Sequence, residues 1–204
     1  MNLPNKLTLL RVIMAPIAMV FILYPIGGET AARIIAAVLF VLTALTDMLD
    51  GKIARKYNLV TDFGKFLDPL ADKFMVIGAM LCIFFTNAGN LRMFTLYFFA
   101  LVVVVFRELA VTSIRLVASS SSGVVIAANW LGKIKTVTQI ICVCCVIIEP
   151  LLYDLGIRLL GLNLSWLASH PILTYVSTVT MIVFTLWSGI NYIVSYWKYL
   201  DPQK

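Results

Sequence analysis

Residues 34–55 read IIAAVLFVLTALTDMLDGKIAR. From Ile34 to Thr46 every side chain is uncharged, and then Asp47, Asp50, Lys52 and Arg55 arrive in quick succession. A helix that crosses a hydrocarbon core needs about 20 residues. The apolar run alone falls short, so a spanning helix must carry these acids and bases on its final turns. Its apolar residues do not alternate with polar ones, which argues against a strand.

The rest of the chain agrees with a bilayer as its solvent. Of 204 residues, 61% are hydrophobic and 13% charged, against about a quarter charged in a soluble domain. A domain of this size cannot hide such a surplus in one core, so soluble globular and disordered classes are excluded. Six segments are long enough to span: 7–26, 32–56, 67–88, 92–118, 131–153 and 171–199. His170-Pro171 divides the long charge-free tract after Leu159, because a residue before proline resists the helical conformation. Leu155–His170 then reads as a surface segment, with Pro171 starting the last helix. Ser119–Ser122 with Gly123 reads as the turn between the fourth and fifth helices. These readings predict an all-α polytopic membrane protein with six transmembrane helices, a short interfacial segment at Asn2–Lys6 and a single integral domain over residues 1–204. Helix-length spacing argues against a β-barrel.

With both termini in the cytoplasm, all of the 16 basic residues except Arg33, Arg92 and Arg158 fall on the cytoplasmic side, as the positive-inside bias requires. Lys6 and Arg11 before an apolar run superficially suggest a signal peptide. Arg11 interrupts that run and the cleavage pattern is weak, so the segment reads as retained.

Charge is expensive at membrane depth, so its placement carries information. Of ten acids, Asp47, Asp50, Asp62, Asp68 and Asp72 share one stretch. Asp47 and Asp50 lie at i and i+3, Asp68 and Asp72 at i and i+4, so each pair shares a helix face. Pro69 is placed in the opening turn of the third helix. Two antiparallel helices with a short connection bring the faces together. Four carboxylates around one point repel unless cations lie between them. Their hard oxygens suit Mg²⁺ or Mn²⁺, and four can hold two ions, as many phosphoryl transfers require. Single acids at helix ends are commonly caps, but four at facing-helix spacing point to a site. Gly51 beside Asp50 either admits a bulky ligand or allows close helix packing. Arg55 either snorkels to the interface or binds a phosphate.

Together these positions read Asp47-x2-Asp50-Gly51-x2-Ala54-Arg55-x8-Gly64-x3-Asp68-x3-Asp72. The pattern resembles the signature of the CDP-alcohol phosphatidyltransferase family, membrane enzymes of phospholipid synthesis, and matches it at every position. Asn2–Arg11, the 66–73 block FLDPLADK, Arg107-Glu108 and the 132–136 block GKIKT resemble its phosphatidylglycerophosphate synthase branch. The resemblance implies transfer of a phosphatidyl group from CDP-diacylglycerol to sn-glycerol 3-phosphate with release of CMP. It implies six helices, a homodimer and a cavity open to the cytoplasm of a bacterial cell membrane. By motif position, Asp47, Asp50 and Asp68 are metal ligands, and Asp72 approaches the metals and serves as general base. Gly51, Ala54, Arg55 and Gly64 frame the CDP moiety. The expected cofactor is Mg²⁺ or Mn²⁺, as two ions. Partners are the two substrates, membrane lipids and a second copy of the chain, with no nucleic acid.

A phosphorylated acceptor needs its own cations. Arg115 and Lys135 are the first pair for that phosphate, with Arg107 and Lys133 in reserve. Each also suits a topology role, because such helix ends collect Lys and Arg. Glu108 is placed either to pair with Arg107 or to orient other groups. Thr8 and Arg11 are candidates for the donor's diphosphate, Arg11 equally for a topology anchor. Cys82, Cys142, Cys144 and Cys145 read as packing residues and His170 as a turn residue. Trp187, Tyr192, Tyr196, Trp197 and Tyr199 suit an interfacial aromatic belt. Other family acceptors (inositol phosphate, serine, phosphatidylglycerol), an intramembrane prenyltransferase and a cation transporter are the competing readings. The basic cluster disfavours serine, the fixed glycine and arginine positions disfavour a prenyltransferase, and the lack of inverted repeats disfavours a transporter.

Overall fold

The computed structural model describes residues 2–57, 61–122, 130–160 and 170–197. They form six helices: α1 Leu3–Leu23, α2 Glu29–Lys56, α3 Asp62–Thr86, α4 Leu91–Ser122, α5 Trp130–Leu160 and α6 Ile172–Tyr196. All six are long and apolar enough to cross a membrane, and no strand occurs among the described residues. The protein is a multi-pass membrane protein.

Local chemistry sets the helix ends, and several differ from expectation. Asn2 caps α1 by accepting from the Asn5 amide at 3.2 Å, with Pro4 in the first turn, so the helix starts at Leu3. Thr61 caps α3 by accepting from the Gly64 amide at 3.1 Å. That starts α3 at Asp62, so Pro69 lies inside the helix rather than in its opening turn. The helical backbone of α4 continues through Ser122, where a turn was expected, and Gly123 lies outside the described residues. Much of the Leu155–His170 segment, from 161 to 169, also lies outside them, while Leu155 to Leu160 extend α5.

Packing follows the logic of a lipid solvent. Long apolar side chains such as Leu9, Ile13, Val38, Leu42 and Val183 point outward. Small residues line the helix contacts, with Ala15, Ala36, Ala79 and Ala100 buried around Phe40, Val104, Val143 and Met181. This lets backbones approach closely where no hydrophobic force joins helices. α1 packs on α2 and α3, α6 packs on α4 and α5, and contacts of α2 with α5 and α3 with α4 join the two halves. The cysteines are free; Cys142 Sγ lies 3.4 Å from Thr178 Oγ1, consistent with a packing role.

Glu149 holds the end opposite the acids. It is 2% exposed and accepts from the Leu173 amide at 2.9 Å, the Thr174 amide at 2.7 Å and the Tyr153 hydroxyl. Pro171 supplies no side-chain cap to α6, so the Glu149 carboxylate caps that helix from α5. Glu149→Ala strands the buried Thr174 amide and the part-buried Leu173 amide and should cost about 1–3 kcal/mol. Thermal unfolding in detergent checks this, with Glu149→Gln retaining part of the loss.

Candidate active site

The four signature acids meet where the C-terminal turns of α2 lie beside the N-terminal turns of α3. The face of α1 that carries Thr8 and Arg11, one turn apart, closes the third side. Arg11 is fully buried. Its guanidinium lies 2.8 Å from Asp47 and is hydrogen-bonded to both Asp50 and Asp72. The Thr8 hydroxyl donates to Asp68 at 2.6 Å and lies 3.4 Å from Asp50. The Asp50 side chain is 4% exposed and forms the floor, whereas those of Asp47 and Asp72 are 30% and 44% exposed and form the open rim.

Arg11 therefore contacts neither solvent nor any interface: it is the internal counter-charge of the acid cluster. One guanidinium against four carboxylates leaves up to three negative charges uncompensated, which is unsustainable at this depth without further cations. The donor set is hard oxygen, from carboxylates, and fits Mg²⁺ or Mn²⁺. Among the described residues no three carboxylates stand closed on one point as a ready cage. Asp47, Asp50 and Asp72 are spread around the Arg11 guanidinium.

Gly64 has a packing reason in this structure. A Cβ there would lie 3.0 Å from Asn5 Oδ1 and 3.2 Å from Thr61 Oγ1. Thr61 itself donates to Asn5 at 3.0 Å, so the bare glycine lets α3 press onto α1. Gly51 is half-buried within α2. The side chains of Ala54 and Arg55 lie outside the described residues.

A second charged cluster forms on α4 and α5. Arg107 Nη1 donates to Glu108 at 3.2 Å, and Lys135 Nζ donates to the same carboxylate oxygen. Arg107 and Lys135 are both buried, and Lys135 lies within electrostatic range of Asp72. The structure thus unites Lys135 with Arg107, not with Arg115. Arg115 is exposed and donates through Nε to the Tyr192 hydroxyl at 2.8 Å. Tyr192 is in consequence buried, against Val111 and Ile114, and does not belong to an aromatic belt. Trp187 and Trp197 are exposed as expected, while Tyr199 lies outside the described residues. Lys133 is exposed, with its amine 5.8 Å from the centre of the Trp130 ring.

Sequence reasoning passed over three members of this neighbourhood. Lys73 donates to Thr112 at 2.7 Å, Ser188 accepts from Arg107 at 2.8 Å, and Gly189 leaves room for the Arg107 stem. The Ser188-Gly189 pair in a helix without charged residues was the available signal. A cavity of about 660 Å³ also opens between Phe21, Arg33, Asn87 and Tyr153, at the opposite ends of the helices. It is remote from both clusters, and size alone does not make it reactive.

A six-helix membrane protein with facing acid pairs beside a buried basic cluster has the build of a phosphotransferase of lipid headgroups. The sequence model of the CDP-alcohol phosphatidyltransferases matches residues 1–187, and the chain belongs to that family. The family is generally metal-dependent. A CDP-diacylglycerol–glycerol-3-phosphate 3-phosphatidyltransferase of Bacillus subtilis is 38% identical, covering 98% of this chain and 97% of that protein. One from Salmonella choleraesuis is 31% identical, covering 94% and 93%. A probable phosphatidylglycerophosphate synthase of Mycobacterium tuberculosis is 37% identical over 70% of this chain and 64% of its own.

Proposed function

We propose that this protein transfers the phosphatidyl group of CDP-diacylglycerol to sn-glycerol 3-phosphate, yielding phosphatidylglycerophosphate and CMP. The observation that carries the reading is the adjacency of the two clusters. Asp72 belongs to the acid site, and Lys135 of the buried Arg107–Glu108–Lys135 group lies within its electrostatic range. An acceptor with a hydroxyl at one end and a phosphate at the other bridges them.

Asp47, Asp50, Asp68 and Asp72 would hold two Mg²⁺ or Mn²⁺ ions, which when bound would supply positive charge for the donor's diphosphate and for the charge developing on departing CMP. Asp72, on the open rim, accepts the proton of the acceptor hydroxyl. The hydroxyl oxygen bonds to the phosphatidyl phosphorus, the bond from that phosphorus to the CMP oxygen breaks, and CMP leaves with the electron pair. Gly51, Ala54, Arg55 and Gly64 border the donor, and the buried Thr8 and Arg11 hold the acids that face it. Arg107 and Lys135 grip the acceptor phosphate, with Arg115 and Lys133 further out. The acyl chains stay in lipid throughout. The chain acts as one integral unit, as a homodimer in a bacterial cell membrane, with its site facing the cytoplasm.

CMP release from CDP-diacylglycerol, across a panel of acceptors with and without Mg²⁺ or Mn²⁺, tests the reading. Turnover with serine or inositol phosphate in preference to glycerol 3-phosphate would overturn it. Lys135→Ala or Arg107→Ala should raise the glycerol 3-phosphate KM about tenfold or more, the loss of one charge-assisted hydrogen bond. The donor KM should change less, and Arg115→Ala should have the smaller effect.

A further inference from the structure

Glu108 is the centre of the basic cluster. One oxygen of its carboxylate takes hydrogen bonds from both Arg107 and Lys135. Lys73 approaches from α3: its amine donates to the Thr112 hydroxyl at 2.7 Å, and that hydroxyl donates to the Glu108 carbonyl at 2.7 Å. The Lys73 charge reaches the Glu108 carboxylate across this short gap. Arg107 is fixed from behind by Ser188, and by Gly189, where a Cβ would fall 3.1 Å from Arg107 Cγ.

The charges do not cancel. Within the group, Lys73, Arg107 and Lys135 bring three positive charges and Glu108 one negative, and the nearby Asp72 offsets part of the difference. Arg107 Nε is buried without a hydrogen-bond partner among the described residues. A purely structural ion pair has no reason to leave an idle donor at this depth.

Cations this close repel, and they converge only around an anion. We propose that Glu108 is the positioning residue that keeps Arg107 and Lys135 together before the acceptor arrives, and that Lys73 is a third cation of the acceptor-phosphate site. This rests on the functional reading above. Lys73 follows Asp72 directly, and successive helical residues point about 100° apart. Asp72 thereby faces the acids while Lys73 faces α4. The group that takes the hydroxyl proton and a group that grips the phosphate stand on neighbouring residues of one helix. A short acceptor with both functions is selected, and an uncharged one is not.

Steady-state CMP release, with separate KM values for glycerol 3-phosphate and CDP-diacylglycerol, tests this. Glu108→Gln keeps the shape but removes the charge, and should raise the acceptor KM about tenfold or more. Its donor KM should move by less than about twofold, a split that general loosening does not produce. Glu108→Asp should recover part of the loss. Lys73→Met should also raise the acceptor KM selectively; Lys73 is half-buried and bonds a neutral hydroxyl, so this variant folds and decides alone if the glutamine variant does not. Glu108→Gln or Lys73→Met with a wild-type acceptor KM, or with both KM values shifted equally, overturns the proposal. If Arg107→Ala and Lys135→Ala also leave the acceptor KM unchanged, the functional reading itself has failed. If those two shift it and Glu108→Gln and Lys73→Met do not, only the present proposal has.

Discussion

Asp72→Asn should reduce phosphatidyl transfer by about 10²–10⁴-fold, the range expected for loss of a positioned general base. Asn preserves the volume and can still accept a hydrogen bond from Arg11, the partner of Asp72 in the structure. It cannot take a proton from the acceptor. The Asp72 side chain is 44% exposed, so the change should leave the fold intact. Asp68→Ala should be equally damaging by another route. Its carboxylate engages only the neutral Thr8 hydroxyl among the α1 groups, so it is the acid with most freedom to bind a cation. CMP release measured beside thermal unfolding separates catalysis from folding. Wild-type turnover by either variant would remove that acid from the proposed machinery.

Most of the architecture was readable because a bilayer constrains a chain severely. Runs of about 20 apolar residues have one helical solution, so the six spans follow from the sequence pattern. The helix ends were harder. α3 begins at Asp62 because the Thr61 hydroxyl caps it, and α4 passes through its serine run, since serine alone does not end a helix. The acid cluster was legible because i,i+3 and i,i+4 spacings fix faces, and expensive charges at depth have few innocent explanations.

Partner choice within the basic cluster was not legible in the same way. Arg107, Arg115, Lys133 and Lys135 have similar sequence surroundings. What separates them is three-dimensional: Tyr192 on α6 draws Arg115 aside, whereas Ser188 and Gly189 on the same helix seat Arg107. A helix distant in sequence decides which cation faces the site. Arg11 shows the same limit. Its spacing from Thr8 placed it on a face, yet only the approach of α2 and α3 to that face puts three carboxylates around it.

Arg11 gives the second large expected effect, because among the described residues it is the cation paired with Asp50 at the floor of the site. Arg11→Ala leaves Asp50 buried with no cation, the situation in which removing one partner costs about 3–5 kcal/mol. Asp47 and Asp72 are partly exposed and can rehydrate, so the lower end of that range is expected in metal-free protein. Arg11→Lys should fall between, since an ammonium keeps the charge but lacks the planar fork that spans several carboxylates. Added Mg²⁺ or Mn²⁺ supplies the missing charge, and a ligand that binds only the folded state stabilises it in proportion to its affinity. Divalent metal should therefore raise the unfolding temperature of Arg11→Ala more than that of the wild type. Equal unfolding temperatures for the two proteins without metal would show that the guanidinium is not what holds the acids together. A variant destabilised equally with and without metal would separate Arg11 from the cation site.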